Sequence, residues 1–186
     1  WQSPFPLHQR MLAAIPRESA HAREGRRARI TAKMNALLEA EIIEALYEAS
    51  QAGVAVDLIV RGVCALRPGI AGLSENIRVR SIVGRFLEHT RVFRFANGGD
   101  EKVWLSSADW MERNFFRRIE VAFPIQQASL RKRVRSDLDY YLDDTANAWD
   151  LQADGTYVRV AATGGEPVDA QAALLERYAA AARVPE

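Results

Sequence analysis

One cysteine, Cys64, is present in 186 residues, which excludes an internal disulfide and a multi-cysteine zinc site and suits a reducing compartment. Lysine is nearly as scarce: Lys33, Lys102 and Lys132 stand against 22 arginines. Of three histidines, His8 and His21 fall in one N-terminal stretch, leaving too few ligands in one place for a protein metal site, and none is expected. No apolar run approaches the roughly 20 residues needed to cross a bilayer; residues 54–60, among the longest, are broken by Asp57. There is no P-loop, no glycine-rich dinucleotide fingerprint and no internal repeat. A signal-peptide pattern is missing, and Trp1 stands where an initiator Met would. The expectation is a cytoplasmic piece of a longer protein, with peripheral association at the inner membrane left open.

What remains is ordinary globular material, 48% hydrophobic and 26% charged, in a length that fits one domain or a core with a small appendage. The net charge of +1 conceals a division along the chain. Residues 61–118 carry 11 Lys and Arg against 6 Asp and Glu, residues 119–136 carry 4 against 1, and residues 137–186 carry 3 against 10. A basic middle built almost wholly of arginine suits an anionic partner, because the planar guanidinium fork meets phosphate or carboxylate in bidentate fashion. Genomic arginine preference explains the count equally well, so position has to decide. The run Arg131-Lys132-Arg133-Val134-Arg135 has no interleaved aromatics and reads as a solvated helix face; nucleic acid is not expected as a partner.

Residues 4–25 place Leu7, Met11, Leu12 and Ile15 at helical spacing, with a break or fresh start expected at Pro16 and a stop at Gly25. Residues 28–34 read as a strand and 39–52 as a helix with Ile42, Ile43, Leu46 and Tyr47 on one stripe. Residues 54–61 read as a strand covered on both faces. This β-α-β unit predicts an α/β fold whose sheet is mixed but mostly parallel and flanked by helices. A long connection, 62–76, follows, of a length that usually carries function or mobility. Strands are expected at 77–82, 90–95 and 102–106, the last two joined by the turn Asn97-Gly98-Gly99-Asp100, and again at 117–123. A helix over 127–142, a short strand over 157–160 and an alanine-rich helix over 169–182 complete the chain. The expected organisation is a helical lead-in over 1–27, a main lobe over 28–145 and a C-terminal appendage over 146–186.

In an open α/β sheet, ligands bind beyond the carboxyl ends of the parallel strands. Arg61 sits at such an end, and Gly62 after it keeps the backbone close to anything the guanidinium holds; a strand-terminal charge in water is the plainer alternative. His89 and Arg91 share one face of an extended chain. A histidine there can serve as nucleophile or general acid-base, and the neighbouring cation favours developing phosphate charge; a solvated strand-edge histidine is the plainer reading. Ser106, Ser107 and Asp109 close the next strand, where they can orient an imidazole, accept from an arginine or simply cap a turn. Arg118 and Glu120, two residues apart, are either a phosphate clamp with its ion-pair partner or a surface ladder.

Five blocks carry a resemblance: ARITAKMN at 28–35, DLIVRG at 57–62, LSENIRVRSIV at 73–83, RFLEH at 85–89 and LSSADWM at 105–111. In order and spacing, over roughly residues 3–157, they resemble the C-terminal catalytic region of bacterial polyphosphate kinase of the histidine-phosphorylated type. The resemblance implies that 28–145 is a phospholipase-D-like lobe, one of two that face each other across a pseudo-twofold site. It implies reversible transfer of the ATP γ-phosphate to inorganic polyphosphate through a phosphohistidine, with magnesium. Carried onto these residues, it makes Arg61 and His89 nucleotide-phosphate contacts, His89 the second histidine of a pair with a catalytic part, and Arg118 a piece of the basic lining. Arg91, Ser107, Asp109 and Glu120 are expected in support. In the family, the phosphorylated histidine, the magnesium-binding arginines and the adenine-stacking tyrosine precede the position of Trp1. The Mg2+ ligands are therefore expected outside these residues, and the fragment alone is expected to catalyse little. The implied partners are ATP or ADP, inorganic polyphosphate, the preceding lobe of the same polypeptide, and further copies in a homo-oligomer.

One departure matters. The phospholipase D signature is H-x-K followed, after four intervening residues, by Asp; His89-Thr90-Arg91 substitutes arginine for the lysine, and Ala96 takes the aspartate's place. That tells against independent hydrolysis and suits phosphate clamping. A phospholipase-D-type phosphodiesterase or nuclease and a non-enzymatic arginine-rich polyanion-binding module remain the alternatives.

Overall fold

A computed structural model of the chain describes residues 1–162 and 164–182. Eight strands form one sheet: β1 (Arg29–Met34), β2 (Ala55–Val60), β3 (Ile77–Ile82), β4 (Arg91–Phe95), β5 (Lys102–Ser106), β6 (Ala122–Pro124), β7 (Ala148–Leu151) and β8 (Tyr157–Arg159). Their spatial order is β6-β5-β4-β1-β2-β3-β7-β8. The helices are α1 (Pro6–Arg23), α2 (Ala40–Gln51), α3 (Glu112–Phe116), α4 (Ala128–Asp143) and α5 (Ala170–Ala182).

The mixed sheet flanked by helices is present, but parallel pairing is confined to its centre, β1 with β2 and β2 with β3. The other five pairings are antiparallel, so "mostly parallel" does not hold. For two of them, β4 with β5 and β7 with β8, the connection is short, as in the Asn97–Gly99 turn, and only antiparallel neighbours can be linked so tightly.

Alternation along the strands sorts the two faces. Ile30, Ala32 and Met34 of β1, Val56, Leu58 and Val60 of β2, and Phe93 and Phe95 of β4 turn to one side and pack with Leu7, Met11 and Ile15 of α1 and Ile42 and Leu46 of α2. Each such fully buried side chain contributes about 1.5–3 kcal/mol, enough to carry α1 straight through Pro16. The expected break is absent because proline forfeits only one helical N–H, while Leu7, Met11 and Ile15 hold the helix before it and buried Glu18, which accepts the Arg29 and Asn97 N–H groups, anchors the turn after it. The opposite face, under α4, is sparser: Ile59, Ile82, Val92 and Val103 meet Leu138, and between them stand the buried polar groups Thr31, Lys33, Arg80 and Arg94.

Two further expectations differ. Residues 117–121 are not strand, and only Ala122–Pro124 pairs with β5. The N-terminus takes up the hydrogen bonds instead: Ser3 N–H donates to Glu120 O at 2.9 Å, Glu120 N–H donates to the Ser3 hydroxyl at 2.8 Å, and that hydroxyl donates to Arg118 O at 2.6 Å. The stretch 146–186, expected as an appendage, extends the main sheet, since β7 pairs with β3 and β8 with β7; its last four residues lie outside the described residues. The long 62–76 connection is pinned by buried Leu66 and by Ser74, whose hydroxyl donates to Arg67 O at 2.7 Å.

Candidate functional site

The carboxyl ends of β1 and β2 lie side by side, with Met34 opposite Val60, so the residues that follow, Asn35 and Arg61, are neighbours. On the other flank of β1, Lys33 pairs with Val92 of antiparallel β4, which brings the start of β4 and the preceding His89 to the same sheet edge. After β5 the chain turns back along this edge. Trp110, fully buried against Phe93, accepts the backbone N–H groups of Leu38 and Glu39, and this lays Asp109 against Asn35.

The polar groups gathered there form one hydrogen-bonded chain. The Arg61 Nε donates to Asn35 Oδ1 at 3.0 Å. Asn35 donates to Asp109 twice, from its backbone N–H at 2.7 Å and its amide at 3.1 Å. Arg91 grips both oxygens of Asp109, Nε at 3.2 Å and Nη2 at 3.0 Å, and its remaining Nη1 contacts His89 Nδ1 at 3.1 Å and His89 O at 3.0 Å. The sequence names Arg61, His89, Arg91 and Asp109 one by one; Asn35, which it misses as a site residue, joins them. The rule that selects Arg61, a polar residue just past a parallel strand, selects Asn35 as well.

Arginine can only donate, so the contact with Arg91 makes His89 Nδ1 an acceptor and puts the hydrogen of the neutral ring on Nε2. Burial alone would raise the Asp109 carboxyl, but hydrogen bonds from Arg91 and Asn35, with the Arg91 charge, hold it below the ordinary carboxylate range. Arg91, with every nitrogen engaged, is committed to the protein. The two terminal nitrogens of exposed Arg61 have no hydrogen-bond partner among the described residues and can take a bidentate anion.

His89, Arg91 and Ser107 line one cavity of about 580 Å³, floored by Leu105, Phe123 and Leu138. Arg61 is outside it and opens on adjacent clefts shared with Val83 and Phe86 on one side and Trp149 on the other. Ser107 belongs to a second small network, in which Glu120 accepts from the Ser107 hydroxyl and, at 2.8 Å, from Asn114. Arg118 approaches Glu120 only to 3.6 Å and is half exposed, so the pair is a contact within an irregular segment and does not share the strand face on which both the clamp and the ladder were expected. Ala96 lies past the far end of β4, at the opposite sheet edge, where its N–H donates to Arg29 O. Cys64 is no nucleophile here: burial pushes its thiol up to about 11.

The residues at this edge do not fit magnesium. The oxygens of Asp109 are taken by Asn35 and Arg91, and those of Glu120 by Ser107 and Asn114. Metal-type donors do gather elsewhere, at His8, Glu39 and Glu41 between α1 and the start of α2, where Glu39 already accepts the Glu41 and Ile42 N–H groups.

With this geometry in hand, comparison with known proteins decides the family. The family described as polyphosphate kinase C-terminal domain 2 matches residues 1–171. The chain belongs to that family. A polyphosphate kinase of Paraburkholderia phytofirmans is 60% identical over 179 residues, which are 96% of this chain and 26% of that protein. One of Pseudomonas putida is 57% identical over 94% of the chain and 24% of its own length. The chain thus spans about a quarter of these curated relatives. The crystal structure of polyphosphate kinase from Porphyromonas gingivalis superposes with a TM-score of 0.93 at 37% identity, over 97% of this chain and 28% of that one. Nuc, a phospholipase D family member from Salmonella typhimurium, matches with a TM-score of 0.56 at 18% identity over 82% of this chain, and shows the shared fold. The polyphosphate kinase domain is therefore phospholipase-D-like in architecture. Among its described residues, no helix is long and apolar enough to cross a membrane.

Proposed function

We propose that this domain is the phosphate-clamping half of the active site of a polyphosphate kinase that moves the ATP γ-phosphate reversibly onto inorganic polyphosphate. The observation that carries the reading is the unbroken chain Arg61–Asn35–Asp109–Arg91–His89, which places a free guanidinium fork and an imidazole N–H donor on one sheet edge. In this reading the attacking histidine comes from the preceding lobe of the same polypeptide, and its phosphorylated form is the intermediate. Arg61 neutralises oxygens of the transferring phosphoryl group, and His89 donates its Nε2–H to one of them. Arg118, loosely held by Glu120, offers a second cation to the incoming anion. Magnesium, which the resemblance implies, would be held by groups outside these residues.

A phosphodiesterase reading has less support, because Ala96 replaces the signature aspartate and Arg91 is fully engaged by Asp109 and His89.

The test is Arg61→Ala in the intact protein. A charged hydrogen bond contributes about 1.5–3 kcal/mol, so turnover with ATP and polyphosphate is expected to fall by about one to two decades. Acid-labile phosphate on the protein after incubation with labelled ATP is expected to form more slowly in the same proportion. Unchanged turnover would reject the role of Arg61; steep salt-dependent polyphosphate binding without any phosphoryl transfer would point to a polyanion-binding module instead.

A further inference from the structure

We propose that Gln171, in the first turn of α5, is a positioning residue for His89, so that the C-terminal helix belongs to the phosphate site. The inference rests on the reading of His89 given above.

The loop that carries His89 has little of its own to hold it. Residues 83–87 are exposed, with Leu87 at 69%. What fixes the loop is a pair of buried polar side chains. The Gln171 carboxamide, 5% exposed, clamps Phe86 at two points: its Oε1 accepts the Phe86 N–H at 2.8 Å and its Nε2 donates to the Phe86 carbonyl at 2.8 Å. The same Nε2 donates to Glu88 Oε1 at 2.6 Å. The other oxygen of Glu88 takes the buried Lys33 ammonium at 2.9 Å, and Lys33 also donates to the Thr90 hydroxyl at 2.8 Å. Both chain neighbours of His89 are thus tied down while its ring stays exposed at the mouth of the cavity.

Gln171 is itself well placed to act as the fixed point. The Ala170 N–H donates to Asp144 Oδ2 at 2.8 Å, and fully buried Asp144 also accepts the Asn147 N–H. Farther along, Arg177 and Tyr178 of α5 bind Asp137 of α4. The fit between loop and amide is close: a Cβ on Gly84 would stand 2.6 Å from the Gln171 Oε1, so only glycine admits the carboxamide there. An apolar residue at 171 would leave the Phe86 N–H and carbonyl and one oxygen of Glu88 without partners. It would loosen the loop before it touched the hydrophobic cores, to which Gln171 does not belong.

The experiment compares Gln171→Met, which keeps length and loses the amide, with His89→Ala in the intact protein, and reads the His89 imidazole in that same protein by nitrogen NMR with selectively labelled histidine. With Gln171→Met, kcat is expected to fall by about tenfold to a hundredfold, the scale of a small misplacement of a reacting group, with KM for ATP within about twofold. The imidazole signals are expected to change from one Nε2–H tautomer to a mixture. If His89→Ala leaves turnover unchanged, the underlying reading of His89 fails. If His89→Ala lowers turnover but Gln171→Met keeps wild-type kcat, or lowers it without altering the imidazole signals, the positioning role fails. Gly84→Ala, which displaces the carboxamide without removing it, is expected to reproduce the Gln171→Met behaviour, and decides the question should that variant not fold.

Discussion

Asp109→Ala is expected to lower the unfolding free energy by about 3 kcal/mol, the lower end of the range for removing one partner of a buried ion pair. The carboxylate is 7% exposed and accepts from a bidentate guanidinium, a backbone N–H and a side-chain amide. Its removal strands all of these at once, where a surface ion pair would lose at most about 1 kcal/mol. Urea titration at neutral pH should show the midpoint falling with little change of slope. A variant within 1 kcal/mol of wild type would mean that the network contributes nothing the surrounding packing does not already supply.

The same carboxyl predicts a pH signature. Its folded value is held below its unfolded one, which is about 3.9. Its stabilising contribution is therefore complete above that pH and lost as the pH falls through the lowered folded value. Asp109→Asn, neutral at every pH, should remove this part of the acid dependence while lowering stability at neutrality.

The central β-α-β unit was legible because its signals are local. The stripe Ile42, Ile43, Leu46 spaces one helix, and the nearly continuous apolar run of β2 marks a strand buried on both faces. What misled was decided at long range. Pro16 is a helix breaker by itself, yet Leu7, Met11 and Ile15 hold α1 against a core that no local window contains. The segment 117–121 has strand-like residues, but Ser3, more than a hundred positions earlier, claims its hydrogen bonds. β7 is four residues long and gains its identity by pairing with β3 on one side and β8 on the other.

The site divides in the same way. Arg61, His89 and Asp109 each stand at a strand end, and a rule about strand ends finds them. Their connection through Asn35 spans 26 residues to Arg61 and 74 to Asp109, and it exists only because β1 lies between β2 and β4. Lys33, Glu88 and Gln171 were missed for a different reason: an isolated lysine in a strand or glutamine in an alanine-rich helix reads as surface. Here Lys33 is buried, and burial, the largest influence on it, pulls its ammonium below the ordinary value even though Glu88 supports the charged form.

His89→Ala in the intact protein is expected to lower turnover by about two decades, and His89→Gln by about tenfold or less, if the hydrogen bond to the transferring group has the strength usual for a charged acceptor. The contrast between the two follows from Arg91. With Nδ1 occupied as an acceptor from Arg91, the ring presents Nε2–H to the site. The arrangement therefore favours hydrogen-bond donation over proton transfer. A glutamine amide of similar reach preserves the donor, and alanine does not. Steady-state turnover and the rate of acid-labile phosphate formation, measured on both variants, separate the two roles. If His89→Gln is as impaired as His89→Ala, and both regain activity with added imidazole, the histidine transfers a proton and the tautomer argument fails.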